Sequence, residues 1–352
     1  IPFNLANPRI ANIDRACHSA PCINECPGGV KPYGYITLVR NGQYEEAMKL
    51  HLEDIPFPGS LGRACYAPCQ NACTRSSVDA SVDIRKTKRY FADWYYEKYP
   101  EPPAVEIKNK TGKRVAVIGS GPAGITAAYH LALKGHTVKI YEAAPGAGGM
   151  LRLALPEYRA PKDVVDRDLK NITVLGVEIE VNRKITDLQQ LKNDNFDAIF
   201  ISVGTHDAVK SNTQGSDLKG IVDCLHFLRE ANIGVKENLT GKKVMVIGGG
   251  NTAIDAARTS LRLGAEKVTV VYSRSREEMA CFAPEIHEAE EEGVEISILR
   301  NPVEYLGENG VITHVKLVKM ELGAPDASGR RAPQPVKGSE YIEPVDYVIE
   351  AI

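Results

Sequence analysis

The feature that most constrains this chain is a strand–glycine–helix–strand phrase that occurs twice. Val115-Ala116-Val117-Ile118 runs into Gly119-Ser120-Gly121-Pro122-Ala123-Gly124, and Val244-Met245-Val246-Ile247 into Gly248-Gly249-Gly250-Asn251-Thr252-Ala253. Around the first, the pattern predicts a strand over Arg114–Ile118, a helix over Pro122–Leu133 and a second strand over Thr137–Tyr141. Around the second it predicts a strand over Lys243–Ile247, a helix over Thr252–Leu263 and a strand over Lys267–Tyr272. A strand joined through a glycine turn to a helix and a following strand is the unit of a parallel α/β sheet. Two copies make an internal repeat, and with 352 residues, 43% hydrophobic, the chain is long enough for two or three separate cores.

The glycines have distinct tasks. The first makes the tight turn, the second lets backbone approach a pyrophosphate, and the third allows close helix–strand packing. The helix N-terminus, starting at Pro122 and Ala123, then presents oriented N–H donors to phosphate. Glu142, 23 residues after Gly119, ends the next strand, where a carboxylate can hydrogen-bond an adenosine ribose. Downstream, Gly148-Gly149-Met150-Leu151 and Leu155-Pro156-Glu157-Tyr158-Arg159 resemble the glycine pair and proline-containing loop of FAD-binding oxidoreductases. The run Asp197 to Gly204 resembles the strand that closes over the dinucleotide there, with Ser202-Val203 in place of Ala-Thr. These residues assign FAD to Gly119, Gly121, Pro122, Ala123, Gly124, Glu142, Gly149, Arg159 and Gly204.

The second unit differs at the diagnostic position. Opposite Glu142 fall Tyr272 to Arg274, with no carboxylate; Arg274 and Arg276 lie where a 2′-phosphate would sit, and guanidinium forks bind phosphate well. Gly248, Gly250, Asn251, Thr252, Ala253, Arg274 and Arg276 are therefore the expected NADPH site, with NADH as the alternative. The competing reading makes the arginines a solvated charge run with Glu277 and Glu278. Asn251 is expected to cap the helix N-terminus.

Ahead of both units stand six cysteines in two triplets, Cys17/Cys22/Cys26 before Pro27 and Cys65/Cys69/Cys73. Clustered thiolates, triplet spacing and a proline directly after a cysteine point to one or two [4Fe–4S] clusters; four-ligand structural zinc is the rival. Six thiolates do not complete two clusters of four, and Asp14 and His18 are the nearest other ligands. Cys224 and Cys281 are isolated and expected to be packed thiols. Two helices are predicted, over Tyr35–Arg40 and Tyr44–Leu52, about the Asn41-Gly42 turn. Ile84, Phe91, Trp94 and Tyr95 recur at helical spacing, as a core stripe does. Tyr99-Pro100-Glu101-Pro102-Pro103 reads as a stiff linker.

A net charge of −2 gives no nucleic-acid or membrane-surface footprint, and the longest apolar runs are strand-sized, so no membrane insertion is expected. With no secretory pattern, the cysteines point to a reducing, cytoplasmic compartment. The chain opens without Met and stops in a strand-like pattern at Val345–Ile352, which reads as a fragment of something longer.

Together these motifs resemble the small (beta) subunit of NADPH-dependent glutamate synthase and its relatives. Those include the N-terminal region of dihydropyrimidine dehydrogenase and the large subunit of NADH-dependent ferredoxin:NADP oxidoreductase. The resemblance rests on Ala20-Pro21-Cys22 to Cys26-Pro27, Gly62-Arg63-Ala64-Cys65-Tyr66-Ala67-Pro68-Cys69, Gly119 to Gly124 with Glu142, Leu155 to Arg159, and Gly248 to Ala253 with Tyr272 to Met279. It departs at Asp14, where many members have a further cysteine, and at Lys88, where some have a Glu or Gln cluster ligand.

The resemblance implies an α/β fold: an N-terminal α-helical iron–sulfur domain (1–108) followed by two Rossmann-like, doubly wound nucleotide domains. FAD would occupy 109–221 and NAD(P)H an inserted 222–344, with 345–352 beginning a return to the FAD domain. It implies an electron-transfer oxidoreductase subunit, taking hydride from NADPH onto FAD and passing single electrons through clusters to a catalytic or electron-accepting partner subunit. The alternatives are a stand-alone NADPH reductase with structural zinc, and a non-catalytic redox or assembly subunit.

Overall fold

The computed structural model describes residues 20–209, 211–235, 237–325 and 331–352. Cys17, Asp14 and His18 lie outside the described residues. The fold divides into two compact units, Ile1–Arg152 with Glu157–Gly204, and Leu153–Pro156 with Thr205–Ile352.

The first unit opens with short helices: α1 (Pro21–Asn24), α2 (Pro32–Arg40), α3 (Tyr44–Leu52), α4 (Pro58–Ala64), α5 (Pro68–Asn71) and the longer α6 (Ile84–Lys98). Proline begins α1, α2, α4 and α5, at positions whose N–H would have no intrahelical acceptor. Asp83 caps α6 by accepting from the Lys86 N–H. Its expected stripe faces inward: Ile84, Phe91 and Tyr95 are buried with Tyr35, Met48 and Leu52. At Gly62 a Cβ would lie 2.6 Å from the Arg89 Cα, so glycine is what lets α4 pack directly on the α6 backbone.

A parallel sheet follows: β1 (Arg114–Ile118), α7 (Pro122–Leu133), β2 (Thr137–Tyr141), α8 (Met150–Leu153), α9 (Lys162–Thr173), β3 (Glu178–Glu180), α10 (Leu188–Asn193) and β4 (Ala198–Ile201), in the order β3-β2-β1-β4. Buried hydrogen bonds fasten the helical segment to this sheet's helices. Asp168 of α9, fully buried, accepts from Gly59 N (3.1 Å), Ser60 N (2.6 Å) and the Tyr96 hydroxyl (2.5 Å). Tyr129 of α7 donates to the Leu52 carbonyl (2.8 Å), and Asn171 to that of Pro56 (2.9 Å).

The second unit contains β5 (Ile221–Asp223), α11 (Cys224–Ile233), β6 (Lys243–Ile247), α12 (Asn251–Arg262), β7 (Lys267–Tyr272), α13 (Ala283–Glu291) and β8 (Glu295–Ile298). Then come β9 (Arg300–Glu308), β10 (Val311–Pro325), β11 (Arg331–Pro335), β12 (Tyr341–Pro344) and β13 (Tyr347–Glu350). The parallel sheet runs β5-β13-β6-β7-β8; β10 pairs antiparallel with β9, β11 and β12. One boundary differs from the sequence reading. Tyr347–Glu350 does not begin a return to the first nucleotide sheet; it lies parallel between β5 and β6, Ile349 opposite Val246. The reason is burial: all four residues of β13 are buried, and Val348 and Ile349 are enclosed by the cores on the two faces of this sheet. Among the described residues no helix is long and apolar enough to cross a membrane.

Candidate functional site

In each parallel sheet the strand order reverses at the first glycine strand, β1 between β2 and β4, and β6 between β7 and β13. The crevice beyond the carboxyl ends of such strands is where open α/β sheets take ligands, and both glycine turns sit there. Gly119 has φ +99°, and a Cβ on it would lie 2.4 Å from the Ser202 carbonyl oxygen. On Gly124 a Cβ would lie 2.0 Å from the Gly119 oxygen, so α7 packs against the turn itself. Ser202, which replaces the expected alanine, donates to the Ile118 and Gly119 carbonyls (3.0 and 3.1 Å) and so ties β4 to the turn.

Gly121 is the N-cap of α7, with Pro122 and Ala123 exposed at its first turn. Gly149 (φ +55°) closes over Gly121, where a Cβ would come within 2.6 Å of the Gly121 Cα. Glu142 is 8% exposed and takes three donors: Ser120 N (2.9 Å), Ser120 Oγ (2.5 Å) and Ala144 N (2.7 Å). It braces the glycine turn from the end of β2. Arg159 stands half-buried in the loop before α9, and Gly204 (φ +70°) follows β4. A backbone-lined turn at a helix N-terminus, beside a carboxylate, fits the pyrophosphate and ribose of a dinucleotide.

The second turn repeats the geometry with different charges. Gly248 has φ +145°, and a Cβ there would lie 2.2 Å from the Ala351 carbonyl oxygen, just as Gly119 meets Ser202. Gly250 caps α12, Thr252 is exposed in its first turn, and the Ala253 methyl is fully buried in the helix–sheet interface. Asn251 corrects an expectation. It occupies the first helical position instead of the cap, and its side-chain oxygen accepts from Phe282 N (3.0 Å), holding the loop before α13.

After β7 the Ser275 and Glu278 side chains form a reciprocal capping box. Arg276 makes a two-pronged pair with Glu290 of α13 (2.5 and 2.6 Å), which holds the Glu290 carboxyl below the usual carboxylate range and pushes the guanidinium pKa up. Arg274 is half-buried and has no ion-pair partner among the described residues. One residue escaped the sequence reading: Arg331 of β11, 53 residues beyond Glu278, reaches back to it (Nε to Oε1, 3.0 Å) and to Ser275 Oγ (Nη2, 3.4 Å). No local signal marks it, because only the long β10 hairpin returns it to this turn. Three guanidiniums and a serine thus border one strand end, a donor set suited to phosphate.

In the helical segment Cys22, Cys26, Cys65, Cys69 and Cys73 are all free thiols, Cys69 buried and the others half-buried. Burial, then the thiols of Cys69, Cys26, Cys22 and Cys65, push the Tyr35 hydroxyl up, so these four lie in its neighbourhood. Burial pushes Cys69 up to about 11, opposed by the Lys88 ammonium, and raises Cys22, which also feels Cys73. Among the described residues no three His, Cys, Asp or Glu side chains converge on a single metal ion. Free thiols clustered in one segment are the ligand type that a polynuclear iron–sulfur cluster takes. The two other cysteines are packed: Cys224 donates to the Thr252 carbonyl, and Cys281, 8% exposed, is pushed by burial up to about 11.

Comparisons with known proteins give the family. Residues 113–328 match the pyridine nucleotide-disulphide oxidoreductase family, and residues 10–99 match dihydropyrimidine dehydrogenase domain II, with its 4Fe-4S cluster. The chain is 40% identical to the NADP(+)-dependent formate dehydrogenase subunit beta of Moorella thermoacetica, over 95% of its own length and 51% of that protein's. It is 41% identical to the NADPH-Fe(3+) oxidoreductase subunit beta of Geobacter sulfurreducens, covering 97% and 52%. To the glutamate synthase [NADPH] small chain of Escherichia coli it is 34% identical, covering 97% and 76%. The chain thus spans about half the length of the first two relatives. Among solved structures, histamine dehydrogenase from Rhizobium shares the fold at a TM-score of 0.54 and 18% identity, over 90% of this chain and 44% of that one. By motif, geometry and similarity alike, the chain belongs to the family of iron–sulfur flavoprotein oxidoreductases that includes the glutamate synthase small chain.

Proposed function

We propose that this chain is the NADPH-oxidising, electron-distributing part of a larger cytoplasmic enzyme. FAD would lie against Gly119, Gly121, Gly124, Gly149 and Gly204 with Pro122, Ala123, Glu142 and Arg159 around it. NADPH would lie against Gly248, Gly250, Thr252 and Ala253, its 2′-phosphate on Arg274 and Arg276. When bound, the flavin accepts a two-electron hydride from the nicotinamide and releases single electrons to [4Fe–4S] clusters, which pass them to a catalytic or electron-accepting partner subunit. The observation that carries this reading is the contrast between the turns: a buried carboxylate ends β2, and arginines follow β7.

The chain's own residues position and select. Gly119 and Gly248 leave room for phosphate, the N–H groups of α7 and α12 face it, and Glu142 holds the first turn shut. Cys22, Cys26, Cys65, Cys69 and Cys73, with Cys17, would hold the cluster iron. We assign the helical segment 1–108 to the clusters, the β1–β4 sheet to FAD, and the segment from β5 through β13 to NADPH. Among the described residues no side chain near either turn is arranged to transform a separate organic substrate, and we place that step on the partner.

The test is an anaerobic NADPH titration followed by absorbance and EPR, with iron and flavin assays on the same sample. Flavin bleaching, a reduced-cluster EPR signal and about four or eight iron atoms per chain, the content of one or two four-iron clusters, are expected. Flavin bleaching without iron would refute the cluster assignment, and absence of flavin would refute the first-turn assignment.

A further inference from the structure

One charged side chain of the first unit is buried with no hydrogen-bond or ion-pair partner among the described residues. Lys88 lies on the inward face of α6 and is 7% exposed, yet its ammonium makes no hydrogen bond or ion pair among the described residues. Its neighbours on that face, Ile84, Phe91, Ala92 and Tyr95, are apolar core residues. The close contact of Gly62 with Arg89 sets α6 hard against α4, so the backbone beside Lys88 is held.

Among the described residues Lys88 faces two titratable groups. Its charge acts on the Cys69 thiol, opposing burial, and on the His51 imidazole, which burial and then Lys88 push down to about 3. His51 is fully buried, with Nδ1 3.0 Å from the Ile55 carbonyl and Nε2 unpartnered. Lys88 therefore sets a largely buried cation beside Cys69, where it favours negative charge.

We propose that Lys88 is the built-in counter-ion of the iron–sulfur cluster to which Cys69 contributes, and that it raises that cluster's reduction potential. The inference rests on the cluster reading above. A thiolate-bound cluster is anionic and becomes more so on reduction, so a fixed buried cation stabilises the reduced form more than the oxidised one. Lys88 therefore acts as a charge beside the cluster and is not an iron ligand. The cluster beside it is the one that holds an electron best.

The experiment is an EPR-monitored potentiometric titration of the full chain, with iron and flavin assays, for the wild type, Lys88→Met and Lys88→Arg. Lys88→Met is expected to keep its iron and to shift one cluster to lower potential by at least tenfold in its reduced-to-oxidised ratio, 59 mV for one electron. Lys88→Arg is expected to stay near the wild type. Iron loss in the Met variant but not the Arg variant would also support the counter-ion, since charge alone would then hold the cluster. An unchanged midpoint in an iron-replete Met variant overturns the proposal. So does iron loss in both variants, which would make Lys88 a direct contact of specific shape. Wild-type protein without any cluster signal would instead overturn the underlying cluster reading.

Discussion

Arg276 offers the sharpest test of the proposed nucleotide choice, because a 2′-phosphate bound there would compete with Glu290. Its guanidinium is engaged by Glu290, with side chains 44% and 34% exposed. An ion pair at that exposure contributes about 0–1 kcal/mol. A charge-assisted hydrogen-bonded contact to phosphate contributes about 1.5–3 kcal/mol. Between mid-range values the difference is about 1–2 kcal/mol, which Arg276 would add to NADPH binding over NADH, or about 5- to 30-fold.

Anaerobic steady-state assays with an artificial one-electron acceptor read this directly as KM for the two nucleotides. Arg276→Ala should raise KM for NADPH by about 5- to 30-fold, on the arithmetic above, and leave NADH within about twofold. Glu290→Gln should act oppositely: freeing Arg276 of its competitor lowers KM for NADPH by up to about fivefold, the value of the lost pair. Added salt should weaken NADPH more than NADH. Equal losses for both nucleotides in Arg276→Ala, or no gain in Glu290→Gln, would reduce the Arg276–Glu290 pair to a solvated surface bridge and remove the basis for the preference.

Other perturbations test other parts. Gly119→Asp puts a Cβ where the Ser202 oxygen stands and a carboxylate where pyrophosphate is expected; the purified variant should carry no flavin, and normal flavin content would contradict the first-turn assignment. Asp168→Ala leaves the buried Gly59 and Ser60 N–H groups without acceptors, a loss of about 3–5 kcal/mol; urea denaturation should shift accordingly, and an unchanged midpoint would mean that water replaces the carboxylate. The hydrogen bonds from Arg262 and then Arg258 hold Glu292 down to about 2. Its contribution is therefore full above the ordinary carboxylate range and lost as pH falls through about 2. Solvent screening keeps the effect modest; Glu292→Gln should flatten the acid limb of the second unit's stability, and an identical limb would show the carboxylate to be uncoupled.

What the sequence made legible is what is local along the chain. Both βαβ phrases fall within a residue of their expected bounds, because glycine turn, helix and flanking strands each carry their own pattern. The inward stripe of α6 was equally plain. Pairing partners were not: Val345–Ile352 reads as a strand, but a strand pattern does not say which sheet receives it, and β13 joins the second. Arg331 was invisible because its relevance depends on a hairpin, and Asn251 was misassigned because a side chain at a helix start can equally serve a neighbouring loop. Asp168 bonds residues 108 and 109 positions away, a distance at which no periodicity operates.

The two nucleotide units show how one scaffold is directed to two tasks. Both place a glycine of positive φ against the carbonyl of the strand across the switch point, Gly119 on Ser202 and Gly248 on Ala351. That shared contact fixes where phosphate can approach and leaves ligand identity to the end of the next strand. There the first unit buries a carboxylate on its own turn, and the second gathers Arg274, Arg276 and Arg331, two of them paired with glutamates. Those glutamates orient the arginines, and on the proposed assignment a ligand phosphate would have to compete with them. A 2′-phosphate would compete with those carboxylates for the guanidiniums and a 2′-hydroxyl would not, so the preference for NADPH proposed here is a competition with Glu290 and Glu278.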